Sequence, residues 1–360
     1  MRTRKYLQLA GRVIIRGFES TGFDDDLKAA LQDGASGGLI FFRRNVESHL
    51  QVAALIEEAR SLVPPEFPVS FSVDQEGGRV VRFGDPLTVL PSARKLASVQ
   101  DPSFTEDCGY LVGRELRSLG MTVDFAPVLD VDTHPDSPVI GDRAYGKDPK
   151  DVVTHGLAFA RGLRRGGVVP CAKHFPGHGD ASLDSHLHLP RVNHVRERLD
   201  EVELAPFGAW CQAGLGPIMT AHVVYPSLDG GNPATTSSPI IERLLRQELG
   251  FQGTVLSDDL EMGAVGEFGG ARAVALKSIR AGVDGLLICR SFEIQEGVRE
   301  IIAKEAMEDA AFRRRLETAA TNVGKLDPSH IPSPDPGFIG SATHEKIKDP
   351  LRRRLDRLTD

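Results

Sequence analysis

"GLIFFRRN" (Gly38–Asn45) is followed, after one valine, by "ESHLQVAALIEEARSL" (Glu47–Leu62). The first is a short apolar run that turns abruptly basic, and the second carries apolar residues at helical spacing. An apolar strand leading into an amphipathic helix is the repeating unit of a parallel sheet covered on both faces. The same alternation recurs around "RVIIRGF" from Arg12, "PVSFSVDQ" from Pro68, "TVDFAPVLDV" from Thr122, "GVVPCAKHF" from Gly167, "PIMTAHVVY" from Pro217, "GTVLSDDL" from Gly253 and "GVDGLLICR" from Gly282. Eight such units predict an α/β fold, a closed (β/α)8 TIM barrel with a short C-terminal extension. An open doubly wound sheet would carry a GxGxxG turn after its first strand, and none is present.

One helix is signalled in detail. In "SSPIIERLLRQELG", Ser238 is placed to cap, Pro239 to open the helix and Gly250 to close it, with Ile241, Leu244, Leu245 and Leu249 on one face. The residues from 1 to 325 are assigned to the barrel. Those from 326 to 360 begin with "LDPSHIPSPDPGFIGSATHEKIKDP", whose five prolines and weak periodicity predict a tail packed on the surface.

The totals narrow the class of function. Of 360 residues, 41% are hydrophobic and 26% charged, which is enough apolar material for a large core. A net charge of −7, with 43 scattered basic residues, argues against a nucleic-acid or anionic-membrane partner. No apolar run approaches a membrane span, and the amino terminus lacks the apolar core and cleavage site of an export signal. Cys108, Cys171, Cys211 and Cys289 lie far apart without a CxxC pair, so they are read as reduced thiols of a cytoplasmic protein.

In a barrel, chemistry gathers where the strands end. The eight run ends carry Arg43, Asp74, Asp130, Lys173, His174, His222, Asp258 and Arg290. Polar strand ends are common in any protein, but this set as a whole is what a functional face requires. The stretch "CAKHFPGHGDASLDSHLHLP" (Cys171–Pro190) adds four histidines and two aspartates between glycines and prolines. A metal site, a proton relay and a polar loop are all compatible with it.

"GGLIFFRRN", "DQEGGRVVR", "DFAPVLDVD", "GDRAYGKDP", "KHFPGHGDASLDSH", "MTAHVVYP" and "SDDLEM" appear in an order that resembles family 3 glycoside hydrolases. The resemblance is greatest to single-domain bacterial β-N-acetylhexosaminidases that remove N-acetylglucosamine from cell-wall fragments. It runs from about Gly37 to Met262, with Ala144 standing where serine is usual. It implies a retaining exo-glycosidase that releases terminal non-reducing β-linked N-acetylhexosamine from short oligosaccharides or muropeptide fragments. It requires no cofactor and no metal.

A retaining glycosidase needs a carboxylate nucleophile and a proton donor. The resemblance selects Asp258 over its neighbour Asp259 as nucleophile. Strand alternation is expected to let only one of the two face the barrel axis. The resemblance assigns the acid/base to His186, with Asp184 holding its ring. An imidazole titrating near ~6.5 can give and take the proton. Gly177 and Gly179 are expected to let this loop swing over the site. The resemblance implies sugar contacts from Asp74, Arg82, Arg143, Lys173 and His174; for Arg143 a salt bridge with a neighbouring acid is the alternative. His178 and His188 match no catalytic position and are read as loop residues. Trp210 is assigned to the core, which leaves no aromatic track for long polysaccharides.

Two other readings stand beside this one. A metal-dependent barrel hydrolase would use His174, His178 and His186 as ligands, but no HxH closes the first strand. A non-catalytic sugar-binding barrel would have lost Asp258 or His186, and both are present.

Overall fold

The computed structural model describes residues 2–134, 139–181, 185, 188–327 and 334–359. Nine short strands form one parallel sheet: β1 (Ile14–Arg16), β2 (Gly38–Phe41), β3 (Ser70–Val73), β4 (Val123–Asp124), β5 (Val169–Pro170), β6 (Ala172–Phe175), β7 (Ile218–Thr220), β8 (Val255–Asp259) and β9 (Gly285–Ile288). The neighbour order is β5-β4-β3-β2-β1-β9-β8-β7-β6. The two ends of that order, β5 and β6, are separated in the chain by Cys171 alone. Its amide donates to the carbonyls of Asp124 and Ala126 at 3.0 and 2.9 Å. The fifth predicted run therefore splits, its first half pairing with β4 and its second with β7. Eight runs make a nearly closed barrel, as the alternation predicted.

Side-chain alternation sorts the core into two parts. Ile15, Ile40, Val123, Phe125, Cys171, Met219, Leu256 and Leu287 cluster together inside the ring, with Val323 and Leu326 packed against them. The alternate residues Ile14, Leu39, Phe41, Phe71 and Val73 belong to the larger outer cluster, with helix residues such as Val52, Ile56, Leu116 and Phe159. Trp210 is fully buried there, its indole N–H donating to Gly216 O at 3.1 Å, as expected of a core residue.

Helices Pro102–Leu119 and Pro149–Gly166 approach closely because glycines face each other. A Cβ on Gly109 would lie 2.3 Å from Phe159 O, and one on Gly162 2.1 Å from Glu106 O. The helix over Pro239–Glu248 is present but π-wound, with Leu249 N donating to Leu244 O. Its cap differs from expectation. Ser238 already has helical dihedrals, and the hydroxyl that accepts from the helix is that of Ser237, 3.1 Å from Ile240 N. Gly250 takes the expected positive φ, +72°.

Ala342–Thr359, with Pro350 inside it, forms a helix that the sequence pattern did not announce. Tertiary contacts hold it. Leu351 and Leu355 are buried, and His344 Nε2 lies 2.7 Å from Oε1 of buried Glu115, which also accepts from Thr88 N and Oγ1.

Candidate active site

A cavity of about 410 Å³ opens at the carboxyl ends of the strands. Of the residues expected to touch sugar or react, Asp74, Arg82, Arg143, Lys173, His174 and Asp258 all line it. His186 and Asp184 lie outside the described residues. Ser185, between them in the chain, is on the cavity wall. Two strand-end residues point elsewhere: Arg43 is exposed, and Arg290 pairs with Glu19 at 2.9 Å.

The floor is an ion-pair network between loops distant in sequence. Lys173 Nζ, almost fully buried, lies 2.6 Å from Asp74 Oδ1 and 2.7 Å from Glu76 Oε1. Arg82 donates to Asp74 Oδ2 at 3.2 Å, its guanidinium over the Phe42 ring. Arg143 grips Glu76 with both arms, 2.9 and 2.8 Å, and donates to Val139 O at 3.0 Å. The salt-bridge reading of Arg143 therefore holds, with Glu76 as its partner, and the residue also lines the cavity. Burial raises the pKa of Asp74 and of Glu76, but their cations outweigh it and hold both carboxyls below the ordinary range. Glu76, within "DQEGG", offers as its only sequence signal an acid two residues past Asp74, with nothing local to name its partners.

Behind His174 stands Asp130, whose carboxylate is fully buried. It accepts from His174 Nδ1 at 2.7 Å and from the backbone amides of His174 and His178. Burial raises its pKa, and the two histidines bring the net below the ordinary value. His178, expected to be an ordinary loop residue, is instead buried on the cavity wall with Nε2 2.9 Å from Ser185 Oγ. Burial and the nearby His174 push its pKa down to about 4, so it is neutral at pH 7. The two rings meet edge to face, centroids 5.9 Å apart. Gly177 and Gly179 have packing roles here. A Cβ would fall 2.8 Å from Glu203 Cβ at the first and 1.8 Å from Val131 O at the second. Among the described residues, no group of three His, Cys, Asp or Glu is arranged to hold a metal.

The two aspartates at the end of β8 do not alternate as expected, because both line the cavity. Their surroundings separate them. Asp259 Oδ1 accepts from Glu261 N and Cys289 N, each at 3.1 Å. Burial nevertheless lifts its pKa to about 6. Asp258 accepts from Asp259 N at 2.8 Å. Burial raises its pKa too, but His174 and His222 outweigh that, and it stays below the ordinary carboxyl range. One site therefore holds a committed anion beside a carboxyl whose accepting oxygen is engaged by backbone.

Residues 5–321 match the N-terminal domain of glycosyl hydrolase family 3. The chain belongs to that family. A β-hexosaminidase of Methylococcus capsulatus is 40% identical over 284 residues, covering 78% of this chain and 83% of its own. One from Neisseria meningitidis serogroup C is 39% identical over 307 residues, 83% of each chain. Among solved structures, a family 3 β-N-acetylglucosaminidase from Paenibacillus sp. superposes with a TM-score of 0.87 at 34% identity, over 97% of this chain and 68% of that one. NagZ from Neisseria gonorrhoeae, in complex with a zinc ion, does so with 0.81 at 29% identity, over 95% and 97%. This family 3 chain is a glycoside hydrolase whose cavity lies at the barrel face where such chemistry is built.

Proposed function

We propose that this enzyme is a retaining, exo-acting β-N-acetylhexosaminidase. The observation that carries the reading is Asp258. It is an anionic carboxylate at a rigid strand end, on the wall of the cavity whose floor is the Asp74–Lys173–Glu76–Arg143 network. A cavity of about 410 Å³ with Phe42 and Phe125 as the aromatics among its described lining residues suits a terminal sugar rather than the middle of a polymer. The network presents carboxylate and guanidinium groups in fixed positions, which suits the paired hydroxyls of one pyranose.

In this mechanism Asp258 attacks the anomeric carbon while the bond to the leaving oxygen breaks. His186, oriented by Asp184, gives that oxygen its proton. A covalent glycosyl-enzyme forms. Water then attacks the same carbon, His186 takes the water's proton, and the sugar leaves with its configuration retained. The assignment of these two residues rests on the family motif and on Ser185, which sits between them and on the cavity wall. The proposed substrates are N-acetylglucosaminides such as muropeptide fragments. The four unpaired thiols accord with a cytoplasmic setting.

The test uses aryl glycosides with and without a 2-acetamido group, with and without phosphate. Turnover confined to the acetamido series, and abolished in Asp258→Ala, is expected. His186→Ala should lose roughly 10²- to 10⁴-fold on poor leaving groups. With a nitrophenyl glycoside it should show a burst, since nitrophenolate leaves without a proton. An Asp258→Ala protein that still turns over would overturn the nucleophile. Equal loss on all leaving groups without a burst would move the proton donor elsewhere.

A further inference from the structure

The end of β8 is bulged. Leu256 pairs with Gly285 on β9, but the next paired residues are Asp259 and Leu287, so β8 spends three steps where β9 spends two. A bulge leaves ladder groups without partners and re-aims the side chains at its site. Here side chains replace the missing carbonyls. Leu287 N donates to Ser257 Oγ and Cys289 N to Asp259 Oδ1, both at 3.1 Å. On the other flank β7 pairs regularly only as far as Thr220 with Ser257. Past that point His222 reaches across, its Nε2 3.1 Å from the carbonyl oxygen of Asp259.

The proton inventory is determined by the acceptor. A carbonyl cannot donate, so Nε2 must carry the hydrogen. Nδ1 of the neutral ring is then an acceptor facing Thr235 Oγ1, 2.9 Å away, whose one hydrogen is shared between it and Ala221 O at 3.1 Å; Thr220 Oγ1 lies 2.9 Å from the same hydroxyl. All three side chains are buried, and burial lowers the His222 pKa, which keeps the ring neutral and this tautomer in place.

We propose that His222 is a positioning residue for Asp258, acting through the Asp259 backbone. The inference rests on the reading of Asp258 as nucleophile. The Asp259 amide holds the Asp258 carboxylate, and the Asp259 carbonyl is held by His222, so the residue between the two is fixed on both sides. Without the ring N–H, this part-buried carbonyl would lose its side-chain donor and turn toward another. A shift in that peptide plane would displace the Asp259 Cα, which also carries the amide that aims Asp258.

The experiment compares His222→Phe, His222→Gln and Thr235→Val on an aryl N-acetylglucosaminide. It reads the single-turnover rate of the first step, KM, inhibition by N-acetylglucosamine and the thermal midpoint. His222→Phe should slow the first step roughly 10²-fold, the scale of a 1 Å misplacement, while KM and product inhibition move less than about threefold. His222→Gln keeps an N–H within reach and should recover about tenfold of that loss. Thr235→Val, which releases the far side of the ring, should slow the same step severalfold. An unchanged first step in His222→Phe overturns the proposal, as does a His222→Gln protein as slow as the phenylalanine variant, or a loss confined to KM. If His222→Phe does not fold, the other two decide: a slowed first step in Thr235→Val supports it and a wild-type rate refutes it. An inactive wild type, or an active Asp258→Ala, would instead sink the functional reading beneath it.

Discussion

Oδ2 of Asp130 lies 2.7 Å from Nδ1 of His174, and both side chains are buried beneath the cavity. The contact sets which nitrogen of His174 faces the cavity, because the carboxylate requires a hydrogen on Nδ1. Asp130→Asn keeps the volume but offers an amide. We expect kcat/KM to fall about 10- to 100-fold, the usual worth of a partner that orients a functional imidazole. Steady-state kinetics with an aryl glycoside measures it; a change under twofold would mean that His174 is held by other contacts.

Glu76 stands between Lys173 and Arg143, and its replacement leaves two buried cations short of one anion. Glu76→Gln should lower stability by about 3 kcal/mol and raise KM, since both cations line the cavity. Denaturant midpoints and KM are the readouts. Unchanged stability would show that water or Asp74 can take over the pairing.

His178 gives the pH dependence of stability a predictable sign. Its folded pKa is about 4 against an ordinary value of 6.5, so between these values the unfolded chain binds the proton and the folded one does not. Its contribution is complete above about pH 6.5 and is lost as the pH falls toward 4. The loss is on the order of 3 kcal/mol. His178→Asn should flatten that part of the profile relative to wild type. Parallel profiles for the two proteins, from unfolding at pH 7, 6 and 5, would refute the assignment.

The buried His344–Glu115 contact ties the C-terminal helix to the barrel wall. His344→Ala removes a partner from a buried carboxylate and should cost about 1 to 3 kcal/mol. The thermal midpoint should drop while kcat stays near wild type, because this contact is remote from the cavity lining. Faster proteolysis within 342–359 is expected in the same variant; an unchanged midpoint would count against it.

An imidazole acid/base needs no metal, so exhaustive EDTA treatment should leave turnover intact. Loss restored only by zinc or another divalent ion would favour the metal-hydrolase reading of His174, His178 and His186.

What the sequence determined by itself was everything carried by local periodicity and by motif. Eight apolar runs, each followed by a helical pattern, define the barrel, and four of the polar residues ending them, Asp74, Lys173, His174 and Asp258, line the cavity. Six of the residues expected there, Asp74 to Asp258, do meet in it. Tertiary structure alone decided the partners. Lys173 meets Asp74 across 99 positions and Arg143 meets Glu76 across 67, and only ring closure brings such loops together. Strand alternation predicted that Asp258 and Asp259 would diverge. The bulge that defeats that prediction arises from the register of β8 against β9, and register is a property of two strands rather than of either sequence. The C-terminal helix shows the same limit: a weakly patterned segment becomes ordered because Glu115 and an apolar wall await it.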